Sequence, residues 1–85
     1  MNTTLNDEIR QVLSDHARLP VNAASLDEHA DLFQAGMSSH ASVNVMLALE
    51  DVFDVEFPDA MLRRSVFESI TAIAGAISEL RRQAA

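Results

Sequence analysis

The sequence predicts an all-α domain, a four-helix bundle of three long helices and one short helix, with a long ordered loop between helices one and two. Two observations carry this prediction. Apolar residues recur at intervals of three and four along three stretches, and only two Gly and two Pro interrupt the 85 residues. Because 48% of the residues are hydrophobic, the chain has enough apolar side chain for one core. We expect a single domain, residues 1–85.

Helix one is predicted to begin at Thr3 or Thr4, whose hydroxyls suit a helix N-terminus, and to end near His16. Its inward positions are Leu5, Ile9, Val12 and Leu13. Pro20 cannot continue the helix, so the chain is expected to leave it before that residue.

Residues 19–38 are predicted to form the long ordered loop. Turn formers are spread along it, namely Pro20, Asn22, Ser25 and Gly36, among four expected apolar anchors: Val21, Leu26, Leu32 and Phe33. A loop of about twenty residues is unusual inside a compact domain, and its length therefore hints at function.

Helix two is predicted over Ser39–Phe53 and has two apolar tracks. One contains Val43, Met46, Leu47 and Glu50, and the other contains Val45, Leu49, Val52 and Phe53. A helix that is apolar around most of its girth normally packs against several neighbours. We therefore expect helix two to lie at the centre of the bundle.

Two further helices are predicted after Pro58, a residue suited to the first position of a helix. Asp59–Arg64 is expected to be the short helix, with Met61 and Leu62 pointing inward. Ser69 is expected to cap the last helix, whose inward stripe is Ile70, Ile73, Ala74, Ile77 and Leu80 before Arg81 and Arg82.

Net charge narrows the range of partners. Thirteen Asp and Glu against six Arg give −7, which disfavours nucleic acid and anionic membrane surfaces. Between Arg18 and Arg63 there is no Lys or Arg, while eight acidic residues fall there. This interval is either a solvated acidic face or a docking surface for basic partners.

The chain has no Cys, so it has no thiolate site or cysteine nucleophile of its own, and any thiol chemistry must be borrowed. His16, His29 and His40 lack the spacing of metal ligands, and the acidic residues do not fit a calcium loop; we predict no metal site. A domain this small leaves little room for a deep catalytic pocket, so we predict that the protein is not an enzyme. Nothing in the sequence suggests a leader or a membrane span, which predicts a cytoplasmic location.

Three motifs carry a resemblance to a known family. They are Gly36-Met37-Ser38-Ser39, the run from Leu49-Glu50 to Phe53-Asp54-Val55-Glu56-Phe57-Pro58, and Phe67-x-Ser69-Ile70. The sequence resembles the acyl carrier proteins over essentially its whole length. The resemblance implies that Ser39 is modified with 4′-phosphopantetheine from coenzyme A. It also implies that the terminal thiol of this arm carries acyl or aminoacyl groups as thioesters.

The chemistry of the two serines agrees with this assignment. Ser38 is expected to cap helix two with its hydroxyl, leaving Ser39 exposed in the first turn, where backbone amides and the helix dipole favour a phosphodiester. The alternative is that Ser38 and Ser39 are only a polar helix start.

The attachment site departs from the usual Asp-Ser-Leu of the family, because this chain has Ser38-Ser39-His40. This variant is similar to the stand-alone carriers that ligases related to class II aminoacyl-tRNA synthetases load with amino acids. The resemblance implies a small amino acid as cargo and His40 at the ligase interface; otherwise His40 is an unimportant surface residue. A Ser39–His40 nucleophile pair is not expected, because the two residues face different directions.

The expected partners are a phosphopantetheinyl transferase, an amino acid:[carrier protein] ligase or another acyl-loading enzyme, and a downstream acceptor enzyme, with the protein alone being a monomer. The predicted docking residues are Asp31, Met37, Ser38, His40, Glu50, Asp51, Asp54 and Glu56. Met37, Met46 and Met61 are also readily interpreted as core filler. A fatty-acyl or polyketide carrier, an unmodified helical interaction module and a small hydrolase are the alternative functions.

Overall fold

The computed structural model describes residues 3–84 and contains three α-helices. They are α1 (Thr3–His16), α2 (Ser39–Phe53) and α3 (Ile70–Ala84), accompanied by 3₁₀ turns at Ala23–Ser25, Asp59–Met61 and Arg64–Val66. These residues contain no strand, so the predicted all-α class is confirmed. Thr4 lies inside α1, and the side chain of Thr3 is outside the described part of the structure, as are residues 1, 2 and 85.

The core forms where α1 packs against both α2 and α3. Each helix contributes one buried stripe at intervals of three or four residues: Leu5, Ile9, Val12 and Leu13 from α1; Ala41, Val45, Leu49 and Phe53 from α2; and Ile70, Ile73, Ile77 and Leu80 from α3. The rings of Phe57 and Phe67 close one end of this core with their centroids 5.3 Å apart. None of the helices in residues 3–84 has the length and apolar content that crossing a bilayer requires.

The loop between α1 and α2 is ordered by contacts at both of its ends. Near its start, Nη1 of Arg10 donates hydrogen bonds to the carbonyl oxygens of Ala23 and Leu26, at 2.9 and 2.6 Å. Because both bonds come from one guanidinium nitrogen, a single α1 side chain holds the first half of the loop in place.

The second half of this loop is tied to the start of α3. Leu32 is fully buried, and its amide donates to the carbonyl of Glu68 at 2.7 Å, while the Thr71 amide donates to the carbonyl of Glu28 at 3.0 Å. Leu26 and Phe33 are half-buried anchors, as predicted. Val21 is 48% exposed, so its predicted anchoring role is wrong.

The short helix predicted over Asp59–Arg64 is instead two separate 3₁₀ turns. The backbone leaves the helical region between them, since Leu62 has φ −87° and ψ 66° and Arg63 is extended. This break turns Leu62 outward, where it is 48% exposed, so its predicted inward position is wrong. Met61 is half-buried against the core, as expected.

Helix α2 differs from its predicted central position. Its stripe of Ala41, Val45, Leu49 and Phe53 is buried, but the other apolar side chains are not: Val43, Leu47 and Val52 are each about half exposed. Among the helices of residues 3–84, α1 and not α2 packs against both of the others. The prediction that α2 is packed around its girth is therefore wrong, and an apolar face is left at the surface.

Candidate functional site

Two adjacent serines at the start of α2 have different roles. Ser38 is the N-cap, with extended backbone, and its Oγ accepts a hydrogen bond from the Ala41 amide at 3.0 Å. Ser39 is the first helical residue and is exposed; within residues 3–84 its hydroxyl has no hydrogen-bond partner. The predicted division between a capping serine and an outward one is confirmed, and Ser39 presents an accessible nucleophilic oxygen.

The chain reaches these serines through a constrained turn. Gly36 has φ +124°, and a Cβ on it would lie 2.6 Å from Cδ of Pro20. The next residue, Met37, donates its amide to the carbonyl of Leu32 at 3.0 Å and is only 2% exposed. Met37 is thus a core residue that anchors the turn, and its predicted place among the docking residues is wrong.

A cleft of about 520 Å³ opens beside Ser39. One wall is a stripe of α2, and the other comes from the second half of the loop and the turns before α3. The lining residues are Phe33, Ser39, Ser42, Val43, Met46, Leu62, Arg63, Arg64 and Phe67. The cleft is therefore mainly apolar, and its polar lining residues are two serines and two arginines.

His40 is exposed next to Ser39 but is not among the residues that line this cleft. Neighbouring residues on a helix point about 100° apart, so the imidazole and the Ser39 hydroxyl face different directions. Within the described chain there is no group of three or more His, Asp or Glu residues placed to hold a metal ion.

Two of the predicted acidic docking residues have structural roles. Asp31 accepts hydrogen bonds through Oδ1 from the amides of Phe33 and Gln34, at 2.9 and 3.3 Å. Glu50 accepts through Oε2 from the Phe57 amide at 2.9 Å and so ties the end of α2 to the segment that follows it. Both are half-buried, and both satisfy backbone amides that would otherwise lack partners.

The other acidic candidates, Asp51, Asp54 and Glu56, are exposed. Asp51 lies on the solvent side of α2, on a surface that we call the α2 ridge and define as His40, Val43, Leu47 and Asp51. These residues are three or four positions apart and share one face of the helix. The ridge has an apolar centre, with Val43 50% and Leu47 54% exposed, and an acidic end that continues into Asp54.

Sequence reasoning missed two groups of residues at this site. Val43 and Leu47 were assigned to packing, although their angular distance from the stripe of Val45 and Leu49 already distinguished the two faces. Arg63 was noted only as the limit of the acidic interval, and Arg64 only as the end of the predicted short helix. No local pattern indicates that they share a cleft with Ser39, because residues 54–62 must turn to bring them there.

The residues around Ser39 fit a covalently attached phosphopantetheine. The hydroxyl that would be esterified is exposed, the positive end of the α2 dipole lies next to it, and two guanidinium groups line the adjacent cleft. Each of these features favours a phosphodiester over a neutral substituent.

Comparison with known proteins agrees with this site. The profile of the family described as "Phosphopantetheine attachment site" matches residues 7–77. An aminoacyl carrier protein of Agrobacterium fabrum (strain C58) is 46% identical over 69 residues, which are 81% of this chain and 83% of that protein.

Two solved structures are also similar to this chain. One is the crystal structure of an engineered Bradyrhizobium japonicum glycine:[carrier protein] ligase complexed with a carrier protein from Agrobacterium tumefaciens and AMP. The matched chain has a TM-score of 0.84 and 44% identity, over 86% of this chain and 97% of that one. The other is the crystal structure of Bradyrhizobium japonicum glycine:[carrier protein] ligase complexed with glycylated carrier protein. Its matched chain has a TM-score of 0.73 and 26% identity, over 86% of this chain and 97% of that one.

Proposed function

The chain belongs to the family of proteins with a phosphopantetheine attachment site, and from this membership we propose that it is an aminoacyl carrier whose 4′-phosphopantetheine is esterified to Ser39. When attached, the group supplies the thiol that a chain without Cys lacks, and this thiol holds the amino acid as a thioester. The protein then serves other enzymes as a substrate and has no catalytic activity of its own. Its cytoplasmic location stays a prediction.

We assign the attachment point to Ser39 and not to Ser38 because their two hydroxyls differ in hydrogen bonding. The Ser38 hydroxyl is engaged with the Ala41 amide at 3.0 Å, and losing that bond would leave a helix donor without its cap. The Ser39 hydroxyl is exposed and opens onto the cleft, so a transferase can reach it without disturbing α2.

The identity of the cargo is supported by the relatives. One is an aminoacyl carrier protein, and a structural neighbour contains a glycine:[carrier protein] ligase with glycylated carrier protein. The Gly36-Met37-Ser38-Ser39-His40 run points to the same kind of carrier. We infer that an ATP-dependent ligase loads this protein with a small amino acid, and that an acceptor enzyme then receives it.

The α2 ridge is proposed as the ligase-binding surface. It is adjacent to Ser39, it exposes two apolar side chains that the fold leaves uncovered, and Asp51 and Asp54 give it negative charge. Apolar contact supplies affinity, whereas the acidic end speeds encounter with a basic partner. His40 lies on the same ridge, so its imidazole takes the place of the leucine of typical carriers in the proposed interface.

Mass spectrometry of the intact protein tests the attachment site. We expect coexpression with a phosphopantetheinyl transferase to add one phosphopantetheine mass to the wild type and to Ser42→Ala, and none to Ser39→Ala. Ser42 is the matched control because it also lines the cleft, one turn along the helix. Modification of Ser39→Ala would show that the assignment is wrong, provided that circular dichroism confirms that all three proteins are folded.

A loading assay tests the cargo. The phosphopantetheinylated protein is offered glycine and other small amino acids with ATP and a glycine:[carrier protein] ligase, and in parallel acyl donors with an acyl transferase. Aminoacylation alone is the expected result. Loading from fatty-acyl or polyketide donors instead would assign the protein to those carriers, and an unmodified, unloaded protein would assign it to helical interaction modules.

A further inference from the structure

The cleft beside Ser39 concentrates positive charge in an acidic protein. The formal net charge is −7, and Arg63 and Arg64 are the only Lys or Arg residues between Arg18 and Arg81. Both line the cleft, and none of the lining residues in the described chain is Asp or Glu. The cleft is therefore suited to an anion, in contrast to the acidic surface around it.

Both guanidinium groups are positioned to bind an anion without breaking existing contacts. Arg64 lies over the ring of Phe33, with Cζ 4.1 Å from its centroid, and its guanidinium has no hydrogen-bond partner within residues 3–84. Arg63 donates from Nε to the carbonyl of Ala60 at 3.0 Å, and its Nη atoms have no hydrogen-bond partner within residues 3–84.

The α2 wall of the cleft changes from polar to apolar along its length. Ser39, Ser42, Val43 and Met46 form one stripe, and the seven steps from Ser39 to Met46, at 1.5 Å each, span about 10 Å of helix. The serines lie at the end where the arm begins, and Val43 and Met46 follow. A phosphopantetheine arm has the same order, because its phosphodiester is at the attached end and a branched hydrocarbon comes next.

We propose that Arg63 and Arg64 bind the phosphodiester on Ser39 and thereby hold the first part of the arm in the cleft, against Val43, Met46 and Leu62. This inference rests on the proposed function, since it requires the arm to be on Ser39. The two arginines are positioning residues: they lower the freedom of the arm when no partner is bound. A ligase that docks on the α2 ridge must then draw the arm out of the cleft.

Solution NMR of the ¹⁵N-labelled protein with and without the arm tests this placement. We expect amide shifts to change at Phe33, across the cleft, and at Leu62 and Arg64, which are distant in sequence from Ser39. Intact mass first establishes that the sample carries phosphopantetheine. If the proposed function is wrong, the mass of this group is absent, and that outcome is distinguished from a failure of this inference. Shift changes confined to Ser38–His40 and their α2 neighbours would overturn the inference.

Thermal unfolding of variants tests the role of the arginines. The modified wild type should melt about 2–5 °C above the unmodified form, and this difference should shrink in high salt. This difference in melting temperature should disappear in the double variant Arg63→Gln, Arg64→Gln. It should persist in the double variant Arg63→Lys, Arg64→Lys, which keeps both positive charges. Arg82→Gln is the control, because it removes a charge of the same sign at the far end of α3. An unchanged difference in the double glutamine variant would contradict the proposal.

Discussion

At the scale of single residues, a cap and an attachment point lie side by side at the start of α2. Ser38 Oγ accepts from the Ala41 amide, and the adjacent Ser39 is left exposed. The local chemistry of the helix terminus thus selects which of two identical hydroxyls is available. A carrier that used the capping serine would lose helix stability each time it was modified.

The capping role of Ser38 predicts that two substitutions at this position differ in their effect on stability. Ser38→Ala removes the cap and should lower the free energy of unfolding by about 0.5–2 kcal/mol, whereas Ser38→Asp keeps a capping oxygen and should retain wild-type stability. Both variants should still accept phosphopantetheine at Ser39. Urea denaturation and intact mass measure the two properties; equal stability of wild type and Ser38→Ala would show that the cap contributes nothing.

The roles of these serines could be predicted from sequence because capping depends on residues within one helical turn. The role of Glu50 could not. Glu50 bonds to the amide of Phe57, seven residues further on, and the path between them includes Asp54 in a left-handed conformation with φ 54°. A carboxylate in an acidic interval therefore appeared to be a docking group until its backbone partner was seen.

At the scale of elements, the loop before α2 determines how the attachment site is presented. Gly36 adopts φ +124° with its α-carbon packed against Pro20, and Met37 is buried immediately after it. A side chain at position 36 would have to displace Pro20 and would strain the backbone. The chain can therefore enter α2 with Ser39 exposed only because this position is glycine.

The two glycines of the chain give a matched test. Gly36→Ala should lower the free energy of unfolding by more than about 1 kcal/mol. Gly75→Ala should raise it by about 0.5–1 kcal/mol, because Gly75 is inside α3 and a Cβ there meets nothing within 4 Å. Chemical denaturation measures both. A Gly36→Ala variant that is as stable as the wild type would contradict the conformation described for the loop.

The element boundaries also show what sequence periodicity can and cannot predict. The limits of α1 and α2 were predicted because apolar spacing, Pro20 and the serines mark them locally. The packing of α2 was not, because periodicity identifies apolar faces but not which of them has a neighbour. Val43 and Leu47 are about half exposed, whereas Val45 and Leu49 on the other face of the same helix are fully buried.

At the scale of the whole molecule, charge is distributed unevenly around the attachment site. The α2 ridge ends in Asp51 and continues into Asp54, whereas the cleft, which adjoins the ridge at Val43, contains Arg63 and Arg64. The proposed partner surface and the proposed resting place of the arm thus have opposite signs. A partner with a basic docking face would be attracted to the ridge and repelled from the cleft, which would favour one orientation of docking.

The position of a negative charge on the surface, more than the net charge of the protein, should therefore control the rate of aminoacyl loading. Asp51→Asn and Glu8→Gln each remove one exposed negative charge from the same total of −7, but only Asp51 is on the α2 ridge. At low ionic strength, Asp51→Asn should slow aminoacylation by the ligase about two- to threefold and weaken its salt dependence, while Glu8→Gln leaves both unchanged. Both exposed substitutions should keep stability within about 0.5 kcal/mol of wild type. Initial rates of aminoacylation over a range of salt concentrations measure both properties. Equal slowing by the two variants would mean that the total charge of the protein, and not a docking surface on α2, attracts the partner.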